Sequence, residues 1–240
     1  MLYSEVKNSN DFQDGALLLI DKPLKWSSFD VVKKVKSILR YKIGLKKIKV
    51  GHGGTLDPLA TGLMIIGIGK ATKQLNTLQN EDKEYIADIF LGATTPSYDL
   101  ETEINNNFET NHITKELIKE KLNEFIGEYD QVPPLFSAKR INGKRAYELA
   151  RSGSEIELKS VKITFHEIEI LDFNMPNVII RVKCSKGTYI RSLANDIGKE
   201  INSGAYLAGL KRISSGNFNI KDALEIESFE ESLDNLINEK

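Results

Sequence analysis

Gly51-His52-Gly53-Gly54-Thr55-Leu56-Asp57-Pro58-Leu59-Ala60-Thr61-Gly62 is the stretch of this 240-residue chain that says most about its fold and chemistry. Four glycines in twelve residues let the backbone approach a bulky ligand closely, because glycine lacks Cβ and tolerates positive φ. Pro58 biases Asp57 towards an extended conformation that presents its carboxylate, and no other acid lies within twenty residues of Asp57. A single presented carboxylate indicates a nucleophile more than a metal ligand. The alternative is a glycine-rich turn whose aspartate caps the next element.

The composition is that of an ordinary globular protein, with 40% hydrophobic and 28% charged residues. A chain of this length can bury one large core or two modest ones. The one cysteine, Cys184, excludes an internal disulfide and a multi-cysteine metal site, and it indicates a reducing compartment. No apolar run approaches the roughly 18 residues of a membrane helix, and the first residues do not resemble a secretion signal. We therefore predict a cytoplasmic protein.

The net charge of −1 hides an uneven distribution of charge along the chain. Between Val31 and Leu56 there are eight basic residues and no acid, whereas between Lys221 and Lys240 there are seven acids and two bases. This segregation predicts one basic face and one acidic tail, and a phosphate backbone responds to such a local field. A solvated helix surface is the alternative. The basic run leads directly into the glycine-rich stretch, which favours a nucleic-acid surface.

Apolar periodicity and turn signals predict short strands and helices without regular βαβ alternation. Ser27 and Asp30 form a potential capping box that begins a helix, and Thr114 begins another. The pattern further predicts a helix at 71–78, a helix at 189–201 and a surface loop at 104–111. Strands are expected at 16–20, 63–68, 85–91, 161–170, 178–184 and 207–213. Mixed elements of this kind predict an α+β fold with a sheet flanked by helices.

Two other kinds of site are disfavoured by residue spacing. Gly67-Ile68-Gly69-Lys70-Ala71-Thr72 suggests a phosphate loop, but a Walker A motif needs glycine at Met64 and serine or threonine at Ala71. The dinucleotide motif G-x-G-x-x-G fails at Thr72. Metal binding is also disfavoured, because the three histidines are far apart in the sequence: they are His52, His112 and His166.

The glycine-rich stretch resembles the active-site signature G-H-x-G-x-L-D-P-x-A-x-G of the TruB-type tRNA pseudouridine-55 synthases. Gly53 stands where this family usually carries Thr or Ala, a difference that removes no chemical group. Four further segments resemble the family in the same order, and together they span most of residues 16–216: they lie at 83–99, 132–151, 186–193 and 210–212. Within them, Phe136 and Arg140 replace the Tyr and Lys that are usual in the family.

The resemblance implies an isomerase that acts on the uridine at position 55, in the T-loop of tRNA. The enzyme would break the bond between C1′ and N1 and rejoin the ring through C5, with no cofactor. An ionised carboxylate suits the electrophilic C1′, and Asp57 aligns with the aspartate of the family. Attack on C1′, as in retaining glycosidases, and removal of a sugar proton are both compatible with the sequence.

The resemblance also assigns roles to individual residues. Asp57, Tyr85 and Arg191 are the catalytic residues, with Arg191 as the ion-pair partner of Asp57. Tyr85 also stacks on uracil, Tyr189 and Leu210 contact the substrate, and His52 fills the stack that the flipped uridine leaves. The residues expected to bind RNA share a basic side chain: they are Lys46, Lys47, Lys49, Lys139, Arg140, Lys144 and Arg145.

The resemblance implies the pseudouridine synthase fold, in which a mostly antiparallel or mixed sheet carries the active-site cleft. Residues 1–216 would form the catalytic domain, with an RNA-gripping insertion at about 130–155. Residues 217–240 would form a short acidic helix, from Asp222 onward, where many members carry a C-terminal RNA-binding (PUA) domain. We expect a monomer that binds the T-arm of tRNA, with no membrane and no obligate protein partner.

Three other functions are weighed against this one. A related synthase could modify another RNA, which only the segment at 132–151 argues against. An RNA chaperone could unfold and refold tRNA with little catalysis, in which case Asp57→Ala would leave its effect intact. A nucleotide-dependent enzyme would have to bind ATP or GTP at the Gly67–Lys70 loop.

Overall fold

The computed structural model describes residues 1–136, 140–141, 144–145 and 158–238, and the chain divides into two compact units. Unit 1 comprises Met1–Tyr85 and Lys211–Lys240, and unit 2 comprises Ile86–Leu210. Two strands cross the boundaries between the units along the chain: they are β4 (Lys83–Leu91) and β12 (Ala205–Ser215).

Unit 1 is built on β3 (Ala60–Ile68), the strand that follows the glycine-rich stretch and is buried at all but one residue. It pairs antiparallel with β1 (Ala16–Lys22), and its last residues pair with β2 (Val50–His52), which places His52 opposite Ile66. The other elements are short 3-10 helices at Tyr3–Glu5, Gly69–Gln74 and Ile220–Asp222, together with α1 (Ser9–Gly15), α2 (Ser28–Lys42), α3 (Leu75–Gln79), β13 (Phe218–Asn219) and α6 (Ile226–Asn238).

Helix α2 begins at the predicted capping box. The Ser27 hydroxyl accepts the backbone N–H of Asp30, and the Asp30 carboxylate accepts the backbone N–H of Ser27. Its apolar face is buried in unit 1 through Val31, Val35, Ile38 and Leu39. The burial of this one face leaves the opposite face of α2 to solvent.

Helix α6 packs its own apolar face into unit 1, where Phe229 and Leu233 are fully buried. Its acids contact α2, with Glu230 2.8 Å from Lys34 and Asp234 2.6 Å from Lys42. The acidic tail that the sequence predicted is therefore packed against part of the basic run, because apolar burial of α6 places two of its acids beside Lys34 and Lys42.

Unit 2 contains an antiparallel set of strands with β10 (Val161–Asn174) paired on both sides. One partner is β11 (Asn177–Cys184) and the other is β7 (Gly127–Gln131). Two register shifts interrupt the β10–β11 ladder. The other elements are β5 (Ala93–Thr94), β6 (Asn106–Asn107), α4 (Lys115–Glu124), β8 (Arg140–Ile141), β9 (Lys144–Arg145) and α5 (Ile190–Glu200).

The structure confirms the α+β class and the mostly antiparallel pairing, while it corrects several boundaries. The expected loop at 104–111 contains the short strand β6, which pairs with β5. The expected helix at 71–78 is a 3-10 helix continued by α3, and the C-terminal helix begins at Ile226, after a 3-10 turn that ends at Asp222. The active-site cleft across the sheet stays a prediction. Among the described helices, none combines the length and the apolar character needed to cross a membrane.

Candidate active site and RNA surface

The loop that carries Asp57 is fixed by hydrogen bonds on both sides of this residue. The buried Ser28 hydroxyl donates to the carbonyl of Leu56 at 2.9 Å and accepts the Leu56 N–H at 2.8 Å. On the other side, the N–H of Ala60 donates to the carbonyl of Asp57 at 3.0 Å and closes a turn. Asp57 itself is half-buried. A carboxylate on a backbone held in this way is positioned before a substrate arrives.

Arg212 holds the glycine-rich part of the same loop. Its guanidinium donates to the carbonyls of Leu63 at 2.7 Å, Gly54 at 3.3 Å and Thr55 at 3.5 Å, and the residue is only 2% exposed. Gly62 is required by this arrangement, because its φ is +103° and a Cβ there would lie 2.3 Å from the Arg212 carbonyl oxygen. Gly62 is therefore needed because the backbone of Arg212 packs directly against it.

Lys22 places a fully buried cation beside the Asp57 turn. Its ammonium donates to the carbonyls of Trp26 at 2.6 Å, Pro23 at 3.0 Å and Pro58 at 3.4 Å. Burial lowers the pKa of Lys22 to about 8, and the charge of Asp57 opposes that shift. The cation thus ties the segment after β1 to the residue that follows Asp57.

The structure places His52 at the end of β2, half-buried, with its Nδ1 buried and without a hydrogen-bond partner among the described residues. Burial lowers the pKa of His52, a contact with the Gly54 backbone offsets part of this, and the charge of Arg212 lowers the pKa further. The ring is therefore neutral at pH 7 and suited to stacking on a base. Tyr85 lies on β4 and is 8% exposed.

In unit 2, Arg191 lies in the first turn of α5 and is 4% exposed. Its guanidinium donates to the carbonyls of Phe136 at 2.9 Å and Ser97 at 3.3 Å, and its Nε lies 3.7 Å from a carboxylate oxygen of Asp99. Asp99 is also buried. A buried arginine with these fixed partners keeps one orientation.

Tyr189, directly before α5, is held through its backbone. The side chain of Gln131 accepts the Tyr189 N–H at 2.8 Å and donates to the Tyr189 carbonyl at 3.0 Å. The hydroxyl of Ser192 donates to the carbonyl of Val132 at 2.8 Å. These bonds tie the start of the predicted RNA-gripping segment to α5. Leu210 lies half-buried in β12.

The predicted RNA-binding lysines between α2 and β2 line a cavity of about 580 Å³. Ile48 is buried and anchors this segment, so the lysines beside it point to solvent. Among the described residues that line the cavity none is acidic, and five lysines contribute: they are Lys46, Lys47, Lys49, Lys70 and Lys73. The Lys70 ammonium lies 2.7 Å from the carboxylate of Asp14, so four of these charges are left for a ligand. This concentration of positive charge suits a phosphate backbone.

The other predicted RNA contacts fall in the partly described segment. Lys139 lies outside the described residues. Arg140 belongs to β8, and Lys144 and Arg145 belong to β9, with Arg140 opposite Arg145 in the antiparallel register. Their assignment to RNA stays a prediction.

The sequence predictions missed several residues that hold the site. Lys22, Ser28 and Arg212 fix the Asp57 loop. Lys22 and Ser28 lie in no quoted motif, and Arg212 lies in the family-like segment 210–212 but was given no role. Lys22 could have been noticed as a lysine at the end of a strand that was predicted to be buried. Lys70 was considered only as part of a nucleotide motif, and Lys73 was not considered.

The described residues offer no alternative metal centre. Within them, no three or more His, Cys, Asp or Glu side chains come together in a way that could hold a metal ion. His112 instead contacts the carbonyl of Ile201 through Nε2 at 2.8 Å.

Comparison with known proteins gives consistent matches over most of the chain. Residues 39–190 match the family described as "TruB family pseudouridylate synthase (N terminal domain)". The chain is 56% identical over 224 residues to a protein of Phocaeicola vulgatus named tRNA pseudouridine synthase B, with 93% of this chain and 95% of that protein covered. The protein of the same name from Flavobacterium johnsoniae is 55% identical, with 93% and 98% covered.

A solved structure is also similar to this chain. The crystal structure of a Cbf5–Nop10–Gar1 complex contains a chain that matches with a TM-score of 0.70 and 28% identity. The match covers 92% of this chain and 54% of that one, so this chain spans about half the length of that relative.

Proposed function

Because the chain belongs to the TruB family of pseudouridylate synthases, we infer that it converts a uridine of tRNA into pseudouridine. We propose that the substrate is the uridine at position 55, in the T-loop. The observation that carries this proposal is the fixed presentation of Asp57, on a loop braced by Ser28 and Arg212. Such bracing is what a reaction at one sugar carbon requires.

The reaction is an isomerisation in which atoms and charge balance within the substrate. The bond between C1′ and N1 breaks, a bond between C1′ and C5 forms, and the proton on C5 is lost while N1 gains one. Asp57 stabilises the electron-poor C1′ or removes a sugar proton, and both roles need its carboxylate ionised. The family resemblance assigns Arg191 as the cationic partner of Asp57, and this pairing stays a proposal, since the carboxylate beside the Arg191 guanidinium within unit 2 is that of Asp99.

Tyr85 supports the base during the rearrangement. Its buried position on β4 fits a ring that stacks on uracil. The hydroxyl is suited to accept or relay the C5 proton at the end of the reaction. Replacement by phenylalanine would keep stacking and remove proton transfer, which separates the two roles.

The target base must leave its stack before it can react, at a cost on the order of a few kcal/mol. His52 is suited to fill the vacated place, since burial lowers the pKa of its ring and favours the neutral form, which stacks on a base. The family resemblance assigns Leu210 to the lining of the uracil pocket and Tyr189 to a contact with the substrate.

The lysine cavity supplies the RNA contact for this chemistry. Lys70 is paired with Asp14, and the other four lysines of the lining suit the phosphates of the T-arm. We propose that the protein acts as a monomer in the cytoplasm, with tRNA as its partner and with no obligate protein partner.

The test is release of tritium from T-arm RNA whose uridines are labelled at C5. We expect release by the wild type and release that is slower by on the order of a thousandfold or more by Asp57→Ala, which is the loss expected when one catalytic group is removed. Asp172→Ala, at an exposed carboxylate, is the matched control and should release tritium as the wild type does. A folded wild-type protein that binds the RNA without releasing tritium would contradict the proposal, as would release that persists after the T-loop uridine is replaced.

A further inference from the structure

The solvent-facing side of α2 carries a stripe of cations bounded by aromatic rings. Phe29, Lys33, Lys36 and Arg40 recur at helical spacing, and all of them are exposed, as is the neighbouring Tyr41. The ammonium of Lys33 lies 4.8 Å from the centre of the Phe29 ring, and the Arg40 guanidinium lies 5.5 Å from that of Tyr41. These five residues form what we call the outer stripe. Phe29 and Tyr41 are 60% and 77% exposed, so both rings are accessible to a ligand.

Helix α6 divides the basic residues of α2 into two groups. Lys34 and Lys42 are paired with Glu230 and Asp234, so their charges are neutralised. The cations of the outer stripe lie outside these two contacts. Lys33 lies 3.6 Å from Asp30, an exposed pair that holds it only weakly. The acidic helix therefore covers one side of α2 and leaves a defined set of cations to solvent.

The outer stripe is continuous with both parts of the proposed site in unit 1. It begins one residue after Ser28, whose hydroxyl is bonded to Leu56 beside Asp57. Further along α2, Lys36 lines a second cavity, also of about 580 Å³, which shares Lys46 and Lys49 with the lysine cavity described above. The stripe therefore extends the lysine cavity along α2 towards the end that is bonded to the Asp57 loop.

We propose that the outer stripe binds the phosphodiester backbone of the same tRNA, outside the nucleotide that reacts. This inference rests on the proposed function, since it assumes that tRNA occupies the lysine cavity. From Phe29 to Arg40 the helix rises about 16 Å, which is long enough to follow several phosphates. The rings orient the cations through cation–π contacts, and they offer a face to an unpaired base. This combination of cations and exposed rings favours RNA over an acidic peptide.

The test compares two variants that lose the same charge. The stripe variant is Lys33→Gln with Lys36→Gln and Arg40→Gln. The control is Lys115→Gln with Lys119→Gln and Lys221→Gln, three exposed lysines elsewhere. The dissociation constant for tRNA is measured between 50 and 200 mM salt, because each phosphate contact contributes about 0.7–0.9 to the slope of the log–log plot.

We expect the slope for the stripe variant to be smaller than that of the wild type by about 2.1 to 2.7, and the slope of the control to be unchanged. The wild-type dissociation constant would then rise about 20- to 40-fold more than that of the stripe variant over this salt range. The rate constant for tritium release at saturating tRNA should stay the same, because the stripe does not touch the reacting nucleotide. A charge-conserving variant, Lys33→Arg with Lys36→Arg and Arg40→Lys, should keep the wild-type slope.

Equal slopes for the stripe variant and the control, with an active wild type, would overturn this inference and leave the proposed function standing. A wild type that binds tRNA but releases no tritium would contradict the proposed function, while the slopes would still decide the role of the stripe. A smaller slope in the charge-conserving variant would also overturn the inference, since lost packing and not lost charge would then explain the effect.

Discussion

Replacing Lys22 with methionine should change how the stability of the protein depends on pH. Lys22 is fully buried, and burial lowers its pKa from 10.5 to about 8. Between these two values the unfolded chain binds a proton that the folded chain does not, so the free energy of unfolding rises with pH. Methionine has a similar length and does not titrate, so Lys22→Met lacks this contribution.

The magnitude follows from the two pKa values. A difference of about 2.5 corresponds to about 3 kcal/mol, at about 1.4 kcal/mol for each pKa unit. Most of this, about 2.5 kcal/mol, falls between about pH 7.5 and pH 10. We therefore expect the free energy of unfolding of the wild type, minus that of Lys22→Met, to increase by about 2.5 kcal/mol over this range.

The assay is urea denaturation followed by circular dichroism at several pH values. The exposed Lys119 provides the control, since Lys119→Met should differ from the wild type by a constant amount at every pH. Taking the difference between proteins removes the general effect of alkaline pH on other groups. A difference between wild type and Lys22→Met that does not change with pH would refute the reasoning, because Lys22 would then titrate alike in the folded and unfolded chains.

Two further substitutions test the bracing of the site through the free energy of unfolding. Gly62→Ala should lower it by roughly 3 kcal/mol or more, because the new Cβ would lie 2.3 Å from the Arg212 carbonyl oxygen; Gly44→Ala, also at positive φ but with nothing within 4 Å, should cost about 1 kcal/mol. If urea titrations show similar losses for both variants, the positive φ alone, and not the contact with Arg212, would explain the loss of stability at Gly62. Asp99→Asn should lower it by about 3 kcal/mol, because the buried Arg191 would lose its carboxylate. An unchanged urea midpoint would mean that the carbonyl partners of Arg191 suffice.

Elements with local signals were predicted well from the sequence, and elements formed by pairing were not. The capping residues of α2 and α4 mark the first turns of these helices, because their side chains accept backbone N–H groups nearby in sequence. Strand β2 has three residues and exists through its pairing with β3. Strand β6 consists of two asparagines, which have low strand propensity, and it is held by β5. No local pattern could have shown either strand.

The charge pattern shows a similar limit. The sequence correctly located a basic run and an acidic end, but it could not show that Lys34 and Lys42 are neutralised by α6. That pairing follows from the burial of Phe229 and the packing of α6 into unit 1, and these are properties of the fold. Net charge along a sequence therefore overestimates the surface open to RNA.

In the candidate site, the residue with the proposed chemical role could be predicted from the sequence, whereas the residues that hold its loop could not. Asp57 was identified because glycine density and a following proline are local features. Its supports in unit 1 come from the end of β1, the start of α2 and the middle of β12. These strands and this helix would form without the three supporting side chains, so their local sequence patterns do not reveal the supporting role.

For Lys22, support of the Asp57 loop and stability of the folded protein are separate effects. A fully buried ammonium destabilises the folded protein at neutral pH, as its lowered pKa indicates. The same ammonium bonds the carbonyl of Pro58 and places a positive charge near Asp57, which an apolar residue could not do. If Lys22→Met is as stable as the wild type at pH 7.5 but slower in tritium release, the lysine is retained for the position of Asp57 and not for the stability of the fold.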